Sequence, residues 1–256
     1  MALKNIEDYI IEDLGIPNVN LEGLDISVAY EIADALTYAF IAFPALTFSI
    51  CSIGNDKYIE EQANMVLNAN ILKRPKYEKI ENQGQIMTTC TMEGAIFKGH
   101  KMFIGLALHE DLYDIKIEKL NRLALESAEN GYHPKSCTNF RSCIYHEIGH
   151  ILSRILNLKN DIILKMLIYT QINNLADIDK KVSKYARTSF EELIAEIIAC
   201  YLTNSNENRL INTVGKYIEE KYKKYEYSRK FQINNAYKIS SKEDNQTLNL
   251  VYKKEN

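Results

Sequence analysis

Apolar residues along this chain recur mostly at helical spacing, with a few short alternating runs between them. Residues 3–14 fit a short helix closed by Gly15 and Pro17, and 18–25 read as a loop of turn residues. The most apolar stretch is 26–53, and Ala35 through Asn55 carries no charge. A membrane span is rejected there, because Glu31 and Asp34 lie just inside the run, Pro44 divides it, and Thr37, Thr47, Ser49 and Ser52 dilute it. The pattern instead predicts a buried helix over 27–42 and a strand over 45–53, where Thr47-Phe48-Ser49-Ile50-Cys51 alternates.

Further on, 57–69 reads as helix, 70–84 as a polar loop around Pro75, and 86–97 and 101–108 as two strands separated by Lys98-Gly99-His100. A helix is predicted near 115–130, with Leu120, Leu123, Ala124 and Leu125 inward and Gly131 closing it. Tyr132-His133-Pro134 breaks the chain, and Thr138 or Asn139 caps a helix that runs to about 157. Residues 160–175 suggest another helix, 176–187 a polar connection, and Thr188 or Ser189 caps a helix from Phe190 to about Leu202. A charged helix near 207–230 reads as a solvated face, followed by a polar tail. The expected fold is helix-rich α+β with a small mixed sheet. The expected division is an N-terminal extension at 1–24, a main domain at 25–205, and a C-terminal helix and tail at 206–256.

The predicted helix after Asn139 carries the chemistry. Ile144, Ile148, Ile151, Leu152 and Ile155 form its apolar stripe, and within it lies His146-Glu147-Ile148-Gly149-His150. Two histidines four apart share a helix face, so both imidazoles can reach one zinc ion. Glu147 sits one step round, where it can move protons for a metal-activated water. Histidine and glutamate in such a stripe are costly unless paired or bound to metal. Gly149 is a poor interior helix residue, but it allows another backbone to come close.

A catalytic zinc needs a third protein ligand. Glu192, 42 residues past His150, lies with Glu196 on one face of the predicted Phe190 helix. Glu192 is the expected ligand and Glu196 the expected hydrogen-bond partner of a ligand histidine. Glu191 is expected to face solvent. The plainer alternative is that these acids only suit a helix N-terminus. His100, His109 and His133 are read as structural or exposed, and Cys137 and Cys143 as small apolar residues.

His146-Glu147-x-x-His150 followed by Tyr185-Ala186-Arg187-Thr188-Ser189-Phe190-Glu191-Glu192-Leu193-Ile194-Ala195-Glu196 resembles the zincin family of the anthrax lethal factor catalytic domain and the Pro-Pro endopeptidases, including phage- and mobile-element-encoded members. Gly131-Tyr132-His133-Pro134 fits the usual lead-in of that family. The likeness covers 25–205 in layout and is specific at 131–152 and 182–201. It implies a zincin-like peptidase domain in which His146, His150 and Glu192 bind zinc, Glu147 is the general base, Tyr185 stabilises the oxyanion and Glu196 supports a ligand. The chain departs from the family pattern at Ser189 and at Leu193-Ile194, none of them a ligand position. Substrate preference does not transfer. An extended peptide is expected to pair with the strand near 101–108.

Composition narrows the partners. The formal net charge is -3, which gives no basic field for nucleic acid or an anionic membrane. Five cysteines, an odd number with no C-x-x-C, argue against a disulfide framework and fit a reducing compartment. The mixed, acidic N-terminus shows no secretory signal, so the expected location is the cytoplasm, with a non-classical export route or prior removal of a signal also compatible. The expected activity is zinc-dependent hydrolysis of a protein or peptide substrate. The alternatives are a repressor-cleaving protease of the ImmA/IrrE type and a non-catalytic, zinc-stabilised phage structural or binding module. Nothing in the sequence fixes the oligomeric state.

Overall fold

The structure, a computed structural model, describes residues 2–44, 46, 49–69, 87–97, 100–113, 115–203 and 208–226. The expected 70–84 loop and the polar tail lie outside them. The chain divides into two units, Met1–Tyr217 and Ile218–Asn256. In the second unit, residues 218–226 are helical.

The first unit is helix-rich α+β. Its helices are α1 (Leu3–Glu12), α2 (Ile26–Ala42), α3 (Asp56–Ala69), α4 (Ile117–Glu129), α5 (Phe140–Ile155), α6 (Ile162–Tyr169), α7 (Leu175–Lys181) and α8 (Phe190–Leu202), and 209–217 are also helical. Its strands are β1 (Asn18–Val19), β2 (Ser52–Asn55), β3 (Met87–Phe97) and β4 (His100–Leu108). Among the described residues, no helix is long and apolar enough to cross a membrane.

Caps explain where the important helices begin. Asp25 accepts from the Ser27 amide at 2.9 Å to start α2. Asn139 accepts from Ser142 at 3.3 Å to start α5, and Ser189 accepts from Glu192 at 3.0 Å to start α8. Gly131 follows α4 at φ +68°, a conformation in which a side chain would be strained.

The four strands form one mixed sheet in the order β1-β2-β4-β3. β1, β2 and β4 are parallel, and β3 runs antiparallel to β4 from Met87↔Leu108 to Glu93↔Met102. This order corrects the expected substrate strand. β4 is paired with β3 and, over Gly105–Leu108, also with β2, so that half of it is no edge, and among the described residues the outer strand beside α5 is β3. The strand expected over 45–53 begins only at Ser52. Pro44, Leu46 and Ser49 lie in turns, and Ser49 and Ile50 amides both bond the Leu46 carbonyl. The polar connection expected over 176–187 contains α7, whose Asn174 cap accepts from Asp177 at 3.1 Å.

α5 is the buried centre of this unit and packs against α2, β3 and α8. Ile144, Ile148, Ile151 and Leu152 are fully buried on it, as are Ile194, Ile197 and Ile198 on α8. Each such side chain contributes roughly 1.5–3 kcal/mol through burial. Arg141 ties the start of α5 to α2, bonding Glu31 at 2.7 Å and also Asp34, with Tyr38 beneath its guanidinium. The closest approach is between α5 and α8. A Cβ added to Gly149 would stand 2.6 Å from Ala195 Cα, so the two backbones touch.

Candidate metal centre

The contact between Gly149 and Ala195 determines what meets across the two helices. His146 and His150 lie on the α5 face that Gly149 presents, and Glu192 and Glu196 lie one turn apart on α8, on either side of Ala195. Glu192 Oε2 is 3.0 Å from His146 Nε2 and 3.4 Å from His150 Nε2, and the two Nε2 atoms are 3.0 Å apart. Three ligand atoms bonded tetrahedrally at roughly 2.0–2.1 Å would stand about 3.3 Å from one another. The triangle therefore has the size a small divalent cation requires.

The donor chemistry agrees. Glu192 Oε2 is buried without a hydrogen bond, although both imidazoles are adjacent to it. Three lone-pair-bearing atoms converge on one point, an unfavourable arrangement that a cation resolves. His146, Glu147 and His150 also form a metal-capable group, with their ligand atoms within 4.8 Å of one another. In the metal-free chain the pairing acts on protons instead. Burial alone would lower the His146 pKa, but the Glu192 and Glu196 carboxylates outweigh it and raise it to about 10. Burial alone would raise Glu192 and Glu196, yet the histidines beside them hold both below the ordinary carboxylate range.

Glu147 is 7% exposed and does not join the triangle. Its Oε2 accepts a 2.6 Å hydrogen bond from the Thr89 hydroxyl of β3. This contact, which sequence reasoning missed, fastens the edge strand to the carboxylate. No motif marks Thr89, because the link depends on how the sheet docks against α5.

Glu196, expected to support a ligand histidine, is only 1% exposed. Its Oε1 lies 3.0 Å from His146 Nδ1, although off the direction of a good hydrogen bond. The same oxygen lies 2.8 Å from His133 Nδ1. His133, read from sequence as structural or exposed, is thus part of the centre. The available signal was its place in Gly131-Tyr132-His133-Pro134, shortly before α5.

Tyr185 begins a short turn of helix, Tyr185–Arg187, before α8. Its ring lies 5.8 Å from that of His146 and 5.3 Å from those of His133 and Tyr132. The Tyr185 amide donates to the Tyr132 carbonyl and the Lys184 amide to that of Gly131, both at 3.0 Å. Glu191 turns away and pairs with Lys159 at 2.5 Å.

A cavity of about 510 Å³ opens beside Glu147, lined on its polar side by His133, His146 and Tyr185 and on its apolar side by Met87, Leu123 and Ala124. Leu123 and Leu125, expected inward, are 45% and 42% exposed. Leu123 gives up burial because its helix face borders this cavity. A larger groove of about 1080 Å³ is lined by none of His146, Glu147, His150, Glu192 and Glu196 and carries Lys135, Lys180, Lys181 and Arg209. Cys137, read as a small apolar residue, is buried and meets Cys200, Sγ to Sγ 4.0 Å. Burial pushes the Cys143 thiol up to about 12.

No family model matches the chain, no curated protein matches it, and no solved structure matches it.

Proposed function

We propose that the chain is a zinc-dependent endopeptidase of zincin type. The observation that carries this reading is the triangle formed by His146, His150 and Glu192, with Glu147 held against it and facing a cavity. Two imidazoles and one carboxylate suit zinc and leave a position for water. Zinc held there would acidify that water and polarise a carbonyl. Three buried or half-buried carboxylates around two imidazoles favour a doubly charged cation, which can take the place of the proton on His146.

The remaining steps belong to the protein. Thr89 fixes Glu147 through Oε2, leaving Oε1 to take the proton from the attacking water and pass it to the leaving amine. The Tyr185 phenol, brought beside His146 by its bonds to the 131–132 backbone, donates to the carbonyl oxygen as negative charge develops. Among the described residues β3 is the outer strand of the sheet, which supports a polypeptide substrate, since an extended chain can add to such an edge as a further strand.

The direct test is metal analysis of the purified protein with a peptide-library cleavage profile, with and without chelator. Cleavage that survives complete removal of metal would overturn the proposal. Tyr185→Phe is expected to lower kcat by roughly 10²–10³-fold with metal content and KM little changed.

Metal uptake is also expected to depend on pH. His146 must lose the proton that Glu192 and Glu196 hold on it up to about 10, so affinity should rise roughly tenfold per pH unit across the neutral range. For the metal-free chain the sign is opposite. The raised His146 value contributes stability below the ordinary histidine value of 6.5, and that contribution disappears as pH rises through about 10. Chelator competition and thermal melts at several pH values measure the two trends, and a pH-independent affinity would contradict the first.

A further inference from the structure

We infer that His133 is a positioning residue for the metal-binding side chain of His146, acting through the carboxylate they share on Glu196. This rests on the reading of His146 as a metal ligand.

The Glu196 carboxylate is almost wholly buried, and its position fixes where the His146 ring stands. Its contact with His146 is off-axis, so that contact alone would hold the ring only loosely. The Ser183 hydroxyl donates to Oε2 at a long 3.3 Å. The shortest bond to the carboxylate comes from His133 Nδ1, at 2.8 Å. His133 is therefore the group that sets the Glu196 rotamer, and Glu196 passes that setting to His146.

His133 is itself held firmly. Pro134 restricts its backbone. The two amide bonds from Lys184 and Tyr185 fasten the preceding residues, and Lys184 Nζ reaches the Asn130 carbonyl at 2.8 Å. Its ring stands edge-on to Tyr132 at 5.1 Å and to Tyr185 at 5.3 Å. The ring is about one-third exposed, at 34%, and so could reach water instead. Its direction toward a buried carboxylate is imposed by this clasp.

The geometry specifies which substitutions matter. Asparagine can place an amide N–H where Nδ1–H stands, whereas glutamine places its amide where Nε2 stands. Zinc affinity is read by competition with a chromophoric chelator, alongside apo melting temperature. His133→Gln is expected to bind zinc 10–100-fold more weakly than wild type, the range for lost outer supports of a ligand. His133→Asn is expected to stay within about threefold of wild type. In a Glu196→Ala background, His133→Gln should have little further effect, because it acts through that carboxylate.

A His133→Gln variant that binds zinc like wild type would overturn the inference. Equal weakening by asparagine and glutamine, or full additivity with Glu196→Ala, would do the same. If wild type itself takes up no zinc, the peptidase reading fails with it. If wild type binds zinc and the His133 variants do not discriminate, only the positioning role is lost.

Discussion

Glu147→Gln is expected to reduce peptide hydrolysis by roughly 10³–10⁴-fold while the protein keeps its metal and its fold. Glutamine has the same shape and can still accept the Thr89 hydroxyl through its amide oxygen. It cannot take up a proton, and the residue stands outside the triangle of His146, His150 and Glu192. The loss should therefore fall on kcat, with metal content by elemental analysis and melting temperature near wild type. A variant with full turnover would remove Glu147 from the chemistry. Protein that binds zinc but cleaves nothing in either form would favour a structural centre.

Gly149→Ala is expected to destabilise the protein by about 2–3 kcal/mol, against the direction helix propensity would give. Alanine in a helix interior gains up to about 1 kcal/mol over glycine. Here its Cβ would stand 2.6 Å from Ala195 Cα and 3.0 Å from the Ala195 carbonyl oxygen. Those atoms are backbone, so no side-chain rotation relieves the contact and α8 must move away. That motion carries Glu192 off the two imidazoles, and metal affinity should fall at least about tenfold. Melting temperature should drop by about 5–10 °C. Ala195→Gly should fail to rescue the variant, because the clash is with main-chain atoms. An unchanged or higher melting temperature would show that the helices can separate without cost.

The centre was legible from the chain because helix spacing is rigid. Four residues put His146 and His150 on one side, and the same interval put Glu192 and Glu196 together, so two local patterns sufficed to predict a three-part meeting. Gly149 supplied a tertiary hint, since an interior glycine in an apolar helix needs a reason and close backbone approach was the available one. What could not be read depended on docking. Thr89 and His133 reach the site only because a strand and a loop arrive there from elsewhere. β4 was mistaken for an edge because strand order is set by pairing across sequence separations that periodicity does not contain. Leu123 looked like core because apolar spacing does not tell a packed face from the wall of a cavity. The 45–53 stretch has strand-like residues, but among its described positions Ser49 and Ile50 both bond back to Leu46, and the strand starts at Ser52.

The bond between Thr89 and Glu147 joins β3, the proposed seat of a polypeptide, to the proposed general base. A chain that adds to β3 in a poor register would pull on the strand and tilt the carboxylate hanging from it. On the proposed reading, misfit there would be felt as slow turnover rather than weak attachment, and selectivity among peptides would be exercised after they have been captured.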